Sequence, residues 1–158
     1  MKSVLAALIA TMLLAMPNAS AQENATQQAA TPPAASEPYE PGLGEIMAHQ
    51  QMRHIKLWFA GRARNWPLAD YEIDELKDGF DAVNRRLGGD TVEKAVGAGI
   101  AALEKAVAAK DRAAFANAFD ELTAGCNGCH RLLDHGFIVI ERPSLLPYSD
   151  QSFASRKR

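Results

Sequence analysis

The chain predicts an all-α domain, an antiparallel up-down-up-down four-helix bundle followed by a non-helical C-terminal tail. Two observations carry this expectation. From Leu43 onward apolar residues recur at three- and four-residue spacing, with no alternating strand pattern of any length until after residue 130. The segments so defined are joined by only a few residues, and short connections favour antiparallel neighbours.

Ahead of the bundle, Lys2 precedes an apolar run from Val4 to Met16 and then Pro17-Asn18-Ala19-Ser20-Ala21, whose small residues at 19 and 21 suit a signal peptidase. Residues 1–21 are therefore expected to be a secretory signal peptide, cleaved before Gln22. The apolar run is shorter than the roughly twenty residues of a membrane span, and no cysteine stands near the cleavage point to carry a lipid. The mature protein is expected to be soluble, without a membrane anchor, and exported to a bacterial periplasm. Residues 22–42 are rich in Gln, Ala, Thr and Pro and nearly devoid of large apolar side chains. They cannot offset their ordering entropy by burial, which predicts a flexible leader. Residues 43–136 then form one domain with one core, and residues 137–158 a tail.

The first helix, about Gly44 to Ala60, gathers Leu43, Ile46, Met47, Gln50, His54, Leu57 and Trp58 on one broad face. Asn65-Trp66-Pro67 opens the second, with proline in the first turn and Asp70 near the positive end of the helix. Its stripe is Leu68, Tyr71, Leu76, Phe80, Val83 and Leu87, and Gly88-Gly89 stops it. Asp90-Thr91-Val92-Glu93 resembles a capping box for a third helix carrying Val92, Val96, Ile100, Leu103 and Val107. Asp111 can cap a fourth, whose core face is Phe115, Phe119, Leu122, Cys126, Cys129, His130 and Leu133, with Gly136 as its stop. Pro143 and Pro147 exclude a fifth helix. Phe137 to Ile140 are too apolar to be left in water, so the tail is expected to fold back across the bundle end.

Both cysteines of the chain fall in Cys126-Asn127-Gly128-Cys129-His130. A C-x-x-C-H string reads as a covalent haem attachment site: the two thiols add to the two vinyl groups of one haem c, and the following histidine binds the iron as proximal ligand. The same spacing occurs in thioredoxin-like redox sites and in half of a zinc site. The first needs a strand before the motif, where this chain has an alanine-rich helical pattern. The second needs two more ligands, and only His49, His54 and His135 remain, without paired spacing. A structural disulfide is the other reading. Export and haem attachment support each other.

The last helix runs antiparallel to the first, so Cys126, Cys129 and His130 face the early turns of helix one, where a second axial ligand should lie. Met1, Met12 and Met16 leave with the signal, and no methionine follows Met52. Met47 shares a face with Gln51, His54 and Trp58, whereas Met52 lies with Ile55 and Phe59. Met47 is the candidate distal iron ligand. His54 is the alternative, two turns further along the same face, or about 10 Å at 1.5 Å per residue. His49 and His135 are expected at the surface.

An exported helical chain with Gly125-Cys126-Asn127-Gly128-Cys129-His130 near the end of its last helix resembles the class II c-type cytochromes, which comprise cytochrome c′ and low-spin c-556-like proteins. The resemblance covers about residues 43–136, and only the haem motif is specific. It implies thioethers at Cys126 and Cys129, a proximal His130, and a distal position on helix one that is methionine in low-spin members and a non-ligating apolar residue in gas-binding ones. The polar and aromatic stretch Gln50 to Phe59 and the long tail depart from the family pattern and mark a divergent member.

A single haem without an acid–base constellation suits one-electron transfer to redox partner proteins, so no enzyme activity is expected. The alternative is a five-coordinate protein that binds NO or CO at an open iron. The formal net charge of −2, or −3 without Lys2, argues against nucleic acid as a partner. Arg53, Lys56, Arg62 and Arg64 could balance haem propionates or meet an acidic partner. Trp58, Phe59, Trp66 and Tyr71 offer aromatic surface for a homodimer, or else belong to the core.

Overall fold

A computed structural model describes residues 39–155; the expected signal peptide and most of the leader lie outside them. The described residues form four helices and no strand: α1 (Leu43–Arg62), α2 (Trp66–Leu87), α3 (Thr91–Ala108) and α4 (Arg112–Leu132). No helix among them is long and apolar enough to cross a membrane.

Contacts between the helices fix the topology. Gln50 on α1 meets Leu76 on α2, while Arg53 meets Glu72, so the two run antiparallel. Lys77 and Asn84 on α2 reach Glu104 and Val92 in reverse order on α3. Gly99 and Gly125 bring α3 against α4 in the same antiparallel sense. His54 bonds Thr123, and Gly61 lies against Phe115, so α1 is antiparallel to α4.

The core is continuous from Ile46, Leu57 and Trp58 through Ile73, Leu76, Phe80 and Val83 to Val96, Leu103, Phe115, Phe119 and Leu122. The third helix meets the fourth most closely. A Cβ on Gly99 would stand 2.7 Å from the Leu122 backbone nitrogen, and one on Gly125 would stand 2.4 Å from the Ala95 carbonyl oxygen. By contrast α1 and α4 touch sparingly, and the space between them holds a cavity at one end and the tail at the other.

Several element ends follow the residues expected. Gly88 and Gly89 stop α2 with φ of +74° and +93°, which favour glycine. Asp111 Oδ1 accepts from the backbone N–H of Ala113 (2.9 Å) and Ala114 (3.0 Å). Others need correction. The third helix has no capping box: Asp90 pairs with Lys94, and the Val92 N–H donates to Asn84 Oδ1 of α2 (3.1 Å). Gly136 does not stop α4. The helix ends at Leu132, and the left-handed turn residue is Asp134 (φ +62°), where the His135 N–H donates to the His130 carbonyl (2.7 Å).

The stripe of α2 is also displaced. Tyr71 and Leu87 are exposed, while Ala69, Glu72 and Ile73 are buried. Arg53 forks between Glu72 (3.2 Å) and Glu75 (2.6 Å), and its guanidinium lies over the Tyr71 ring. Burial pushes the Glu72 carboxyl above the usual range, against the hydrogen bond and charge of Arg53. The cations of α1 do not act as one patch: Arg53 is paired, Lys56 lies over Tyr148, and Arg62 turns toward Trp58. The aromatic surface is likewise largely internal, with Trp58 buried, Trp66 edge-on to Phe115 and Phe59 edge-on to Phe153.

The tail is non-helical and runs along the α1–α4 side rather than only across the end. Ile138 and Ile140 border the cavity, although Ile138 keeps 41% of its surface exposed, whereas Phe137 and Val139 are exposed without bordering it, against the expectation that all four need cover. Arg142 then bonds Asp120 and stacks over Trp58 at 4.5 Å. Tyr148 meets Lys56, Phe153 is buried, and the Ala154 carbonyl accepts from Asn65 Nδ2 (3.4 Å).

Candidate functional site

A cavity of about 370 Å³ opens at the end of the bundle where α1 begins and α4 ends. Its volume lies within the range of small-molecule and cofactor sites. Leu76, Phe80 and Val83 of α2, Val92 and Val96 of α3, Leu122 and Leu133 near α4, and Ile138 and Ile140 of the tail give it apolar walls. Cys126, Cys129, His130, Met47 and His54 all border it, so the fold brings every residue singled out as a ligand to one space. Met52 does not border it. Nor does His49, which is exposed as expected; His135 is also exposed as expected, but it stands at the mouth of the cavity.

Cys126 is half-buried and Cys129 buried, one helical turn apart on α4. Burial pushes the Cys126 thiol up to about 12, with Cys129 adding to the effect, and burial raises Cys129 as well. A thiol–disulfide catalyst requires the opposite, a thiol held below its ordinary value by positive surroundings.

The imidazole of His130 is oriented by the tail. Its Nδ1 lies 2.9 Å from the Ile138 carbonyl oxygen. A carbonyl only accepts, so Nδ1 carries the proton and Nε2 keeps its lone pair, the arrangement a metal-binding histidine needs. The tail is pinned beside this bond by Asn127, inside the C-x-x-C-H string. Asn127 Nδ2 donates to the Ile140 carbonyl and the Ile140 N–H donates to Asn127 Oδ1, each at 2.8 Å.

His54 is committed differently. The Thr123 hydroxyl donates to the Phe119 carbonyl (2.8 Å), so it can only accept from His54 Nε2–H (2.8 Å), and the ring packs on Phe119 at 4.3 Å. Burial pulls its pKa down to about 4, so the ring is neutral at ordinary pH. The unfolded chain takes up a proton near 6.5, before the folded one does. Stability is therefore full above about 6.5 and falls as pH drops toward 4, by about 3 kcal/mol for a shift of this size. Denaturant titrations from pH 7.5 to 4 should show this loss, and His54→Leu should flatten that part of the profile.

Gln50 is the polar residue whose role the sequence did not announce. It is buried and borders the cavity, and its Nε2 donates to the Leu76 carbonyl (3.1 Å) while Oε1 has no partner. A buried acceptor without a donor is costly, about 1–3 kcal/mol, and such groups mark sites that are completed by something else. Gly79 leaves room for it: a Cβ there would lie 1.6 Å from Gln50 Nε2.

The site therefore offers two adjacent thiols, an imidazole presenting Nε2, and a thioether from the facing helix, in a largely apolar chamber whose lining, among the described residues, includes no carboxylate, lysine or arginine. That donor set fits a covalently attached haem, and the orphaned Gln50 oxygen fits a chamber completed by a bound group. No protein-family model, no curated protein and no solved structure matches this chain.

Proposed function

We infer that the chain is an exported single-haem c-type cytochrome, a divergent relative of the class II group, that passes one electron at a time between redox partner proteins in the periplasm. The observation that carries this reading is the convergence of Cys126, Cys129, His130 and Met47 on one apolar cavity. Cys126 and Cys129 would hold haem c by thioethers, and His130 Nε2 and Met47 Sδ would bind the iron. When bound, haem c supplies a reversible Fe(III)/Fe(II) couple.

The residues around it hold the site dry and fixed. Phe80, Val83, Val96 and Leu122 exclude water, which limits reorganisation during electron transfer and tunes the potential. The Ile138 carbonyl holds the His130 proton at Nδ1.

Co-expression with a periplasmic cytochrome c maturation system tests the reading. The purified protein should carry the mass of one haem that survives denaturation and acid extraction. The Cys126→Ser, Cys129→Ser double variant should carry none. Wild-type protein recovered from matured periplasm with both thiols free would overturn it.

A further inference from the structure

We propose that the C-terminal tail is part of the haem site, with Asn127 as a positioning residue that straps Ile138 onto His130 and so sets the donor strength of the proximal ligand; this rests on the haem reading above. The tail has no helix or sheet of its own to hold it, yet it meets the motif through three hydrogen bonds in three residues. Ile138 accepts from His130 Nδ1 (2.9 Å), and Ile140 exchanges both of its backbone groups with the Asn127 side chain (2.8 Å each). The reciprocal pair copies one rung of a β-ladder, with an asparagine amide in place of a second strand. It leaves Val139 and Phe137 outward and sets the partly exposed Ile138 and Ile140 along the cavity rim, so the strap also forms part of the cavity wall.

Asn127 is otherwise a spacer between the cysteines, where attachment needs only the correct number of residues. Its amide satisfies the backbone of a segment thirteen residues away. Downstream, Arg142 anchors the tail separately on Asp120 and over Trp58. The His130 contact therefore depends on the Asn127 clamp rather than on the tail as a whole.

An acceptor on the distal N–H of a ligating histidine raises its basicity, and a more basic ligand favours the oxidised metal. Releasing the strap should weaken that preference.

The test uses the full-length, haem-loaded protein with two readouts: midpoint potential, and ¹⁵N NMR of the His130 imidazole in the ferrous state. Asn127→Ala should raise the midpoint potential and shift the Nδ1–H resonance toward that of an imidazole without a carbonyl acceptor, since a ring bound through Nε2 carries its proton only at Nδ1. Ile140→Pro removes one rung without touching the attachment motif and should move both readouts in the same direction. Arg142→Ala, which frees only the downstream tail, should leave both where they are. Unchanged potential and Nδ1–H resonance in Asn127→Ala and Ile140→Pro, with faster hydrogen exchange showing residues 138–140 released, would overturn the proposal. A wild type without covalent haem would sink the haem reading instead, and the imidazole spectrum of that protein and its variants would still decide whether Asn127 locks the tautomer.

Discussion

Met47→Ala is expected to turn a haem-loaded protein with sharp low-spin bands, indifferent to carbon monoxide, into a high-spin protein that binds carbon monoxide. The register of α1 on α4 carries the expectation. His54 bonds Thr123, and Gly61 packs on Phe115, so the two helices pass each other with those pairs level. Seven residues back along α1 from His54 is Met47, and seven forward along α4 from Thr123 is His130. Met47 therefore stands level with the proximal histidine, while His54 lies about 10 Å deeper and has its Nε2 engaged by Thr123.

His54→Ala should behave in the opposite way. It should keep the low-spin bands and lose roughly 2–4 kcal/mol of stability, because it empties core space beside Phe119 and strips Thr123 of its donor. A denaturant midpoint that falls while the spectrum holds is the expected signature. Met47→His should stay low-spin at a lower potential, since a thioether opposite histidine raises it. Low-spin bands that survive Met47→Ala and vanish in His54→Ala would reassign the ligand. A wild type already high-spin and responsive to carbon monoxide would favour the gas-binding alternative.

The parts of this molecule that periodicity governs were legible in the chain. Helix starts and ends carry local signals, and the antiparallel order follows from short connections, so the cysteines, His130 and Met47 could be placed around one space before any coordinates. What escaped were the long-range polar contacts. Glu72 reads as a solvent-facing carboxylate because its partner Arg53 lies nineteen residues earlier on another helix, and accepting Glu72 as buried would have moved the α2 stripe off Tyr71. Asn127 reads as a spacer because its amide meets Ile140 only once the chain has turned back at Asp134. Phe137 to Ile140 are uniformly apolar, so the chain gave no sign of which two would border the cavity, or that an asparagine side chain would take the place of a neighbouring strand.

The packing of α3 on α4 makes the second large prediction. Alanine in a helix interior is favoured over glycine by about 1 kcal/mol, so Gly99→Ala and Gly125→Ala would stabilise the protein if space allowed. Both Cβ atoms would instead meet backbone, 2.7 Å from the Leu122 nitrogen and 2.4 Å from the Ala95 carbonyl oxygen, and backbone cannot swing aside as a side chain can. Overpacking of this kind costs 1–3 kcal/mol and sometimes more. Set against the propensity gain, a net loss of about 1–2 kcal/mol and a Tm lower by roughly 5–15 °C are expected for each. Gly44→Ala is the contrast: its Cβ would meet nothing within 4 Å, so the propensity gain should stand. The two tight sites should differ in function, because Gly125 immediately precedes Cys126. A shift of α4 there moves both thiols relative to the walls contributed by α2 and α3, so Gly125→Ala should lower covalent haem yield more than Gly99→Ala does at equal loss of stability. Melting of both variants within a few degrees of wild type would show that α3 and α4 do not approach this closely, and the placement of the thiols on the cavity wall would fall with that contact.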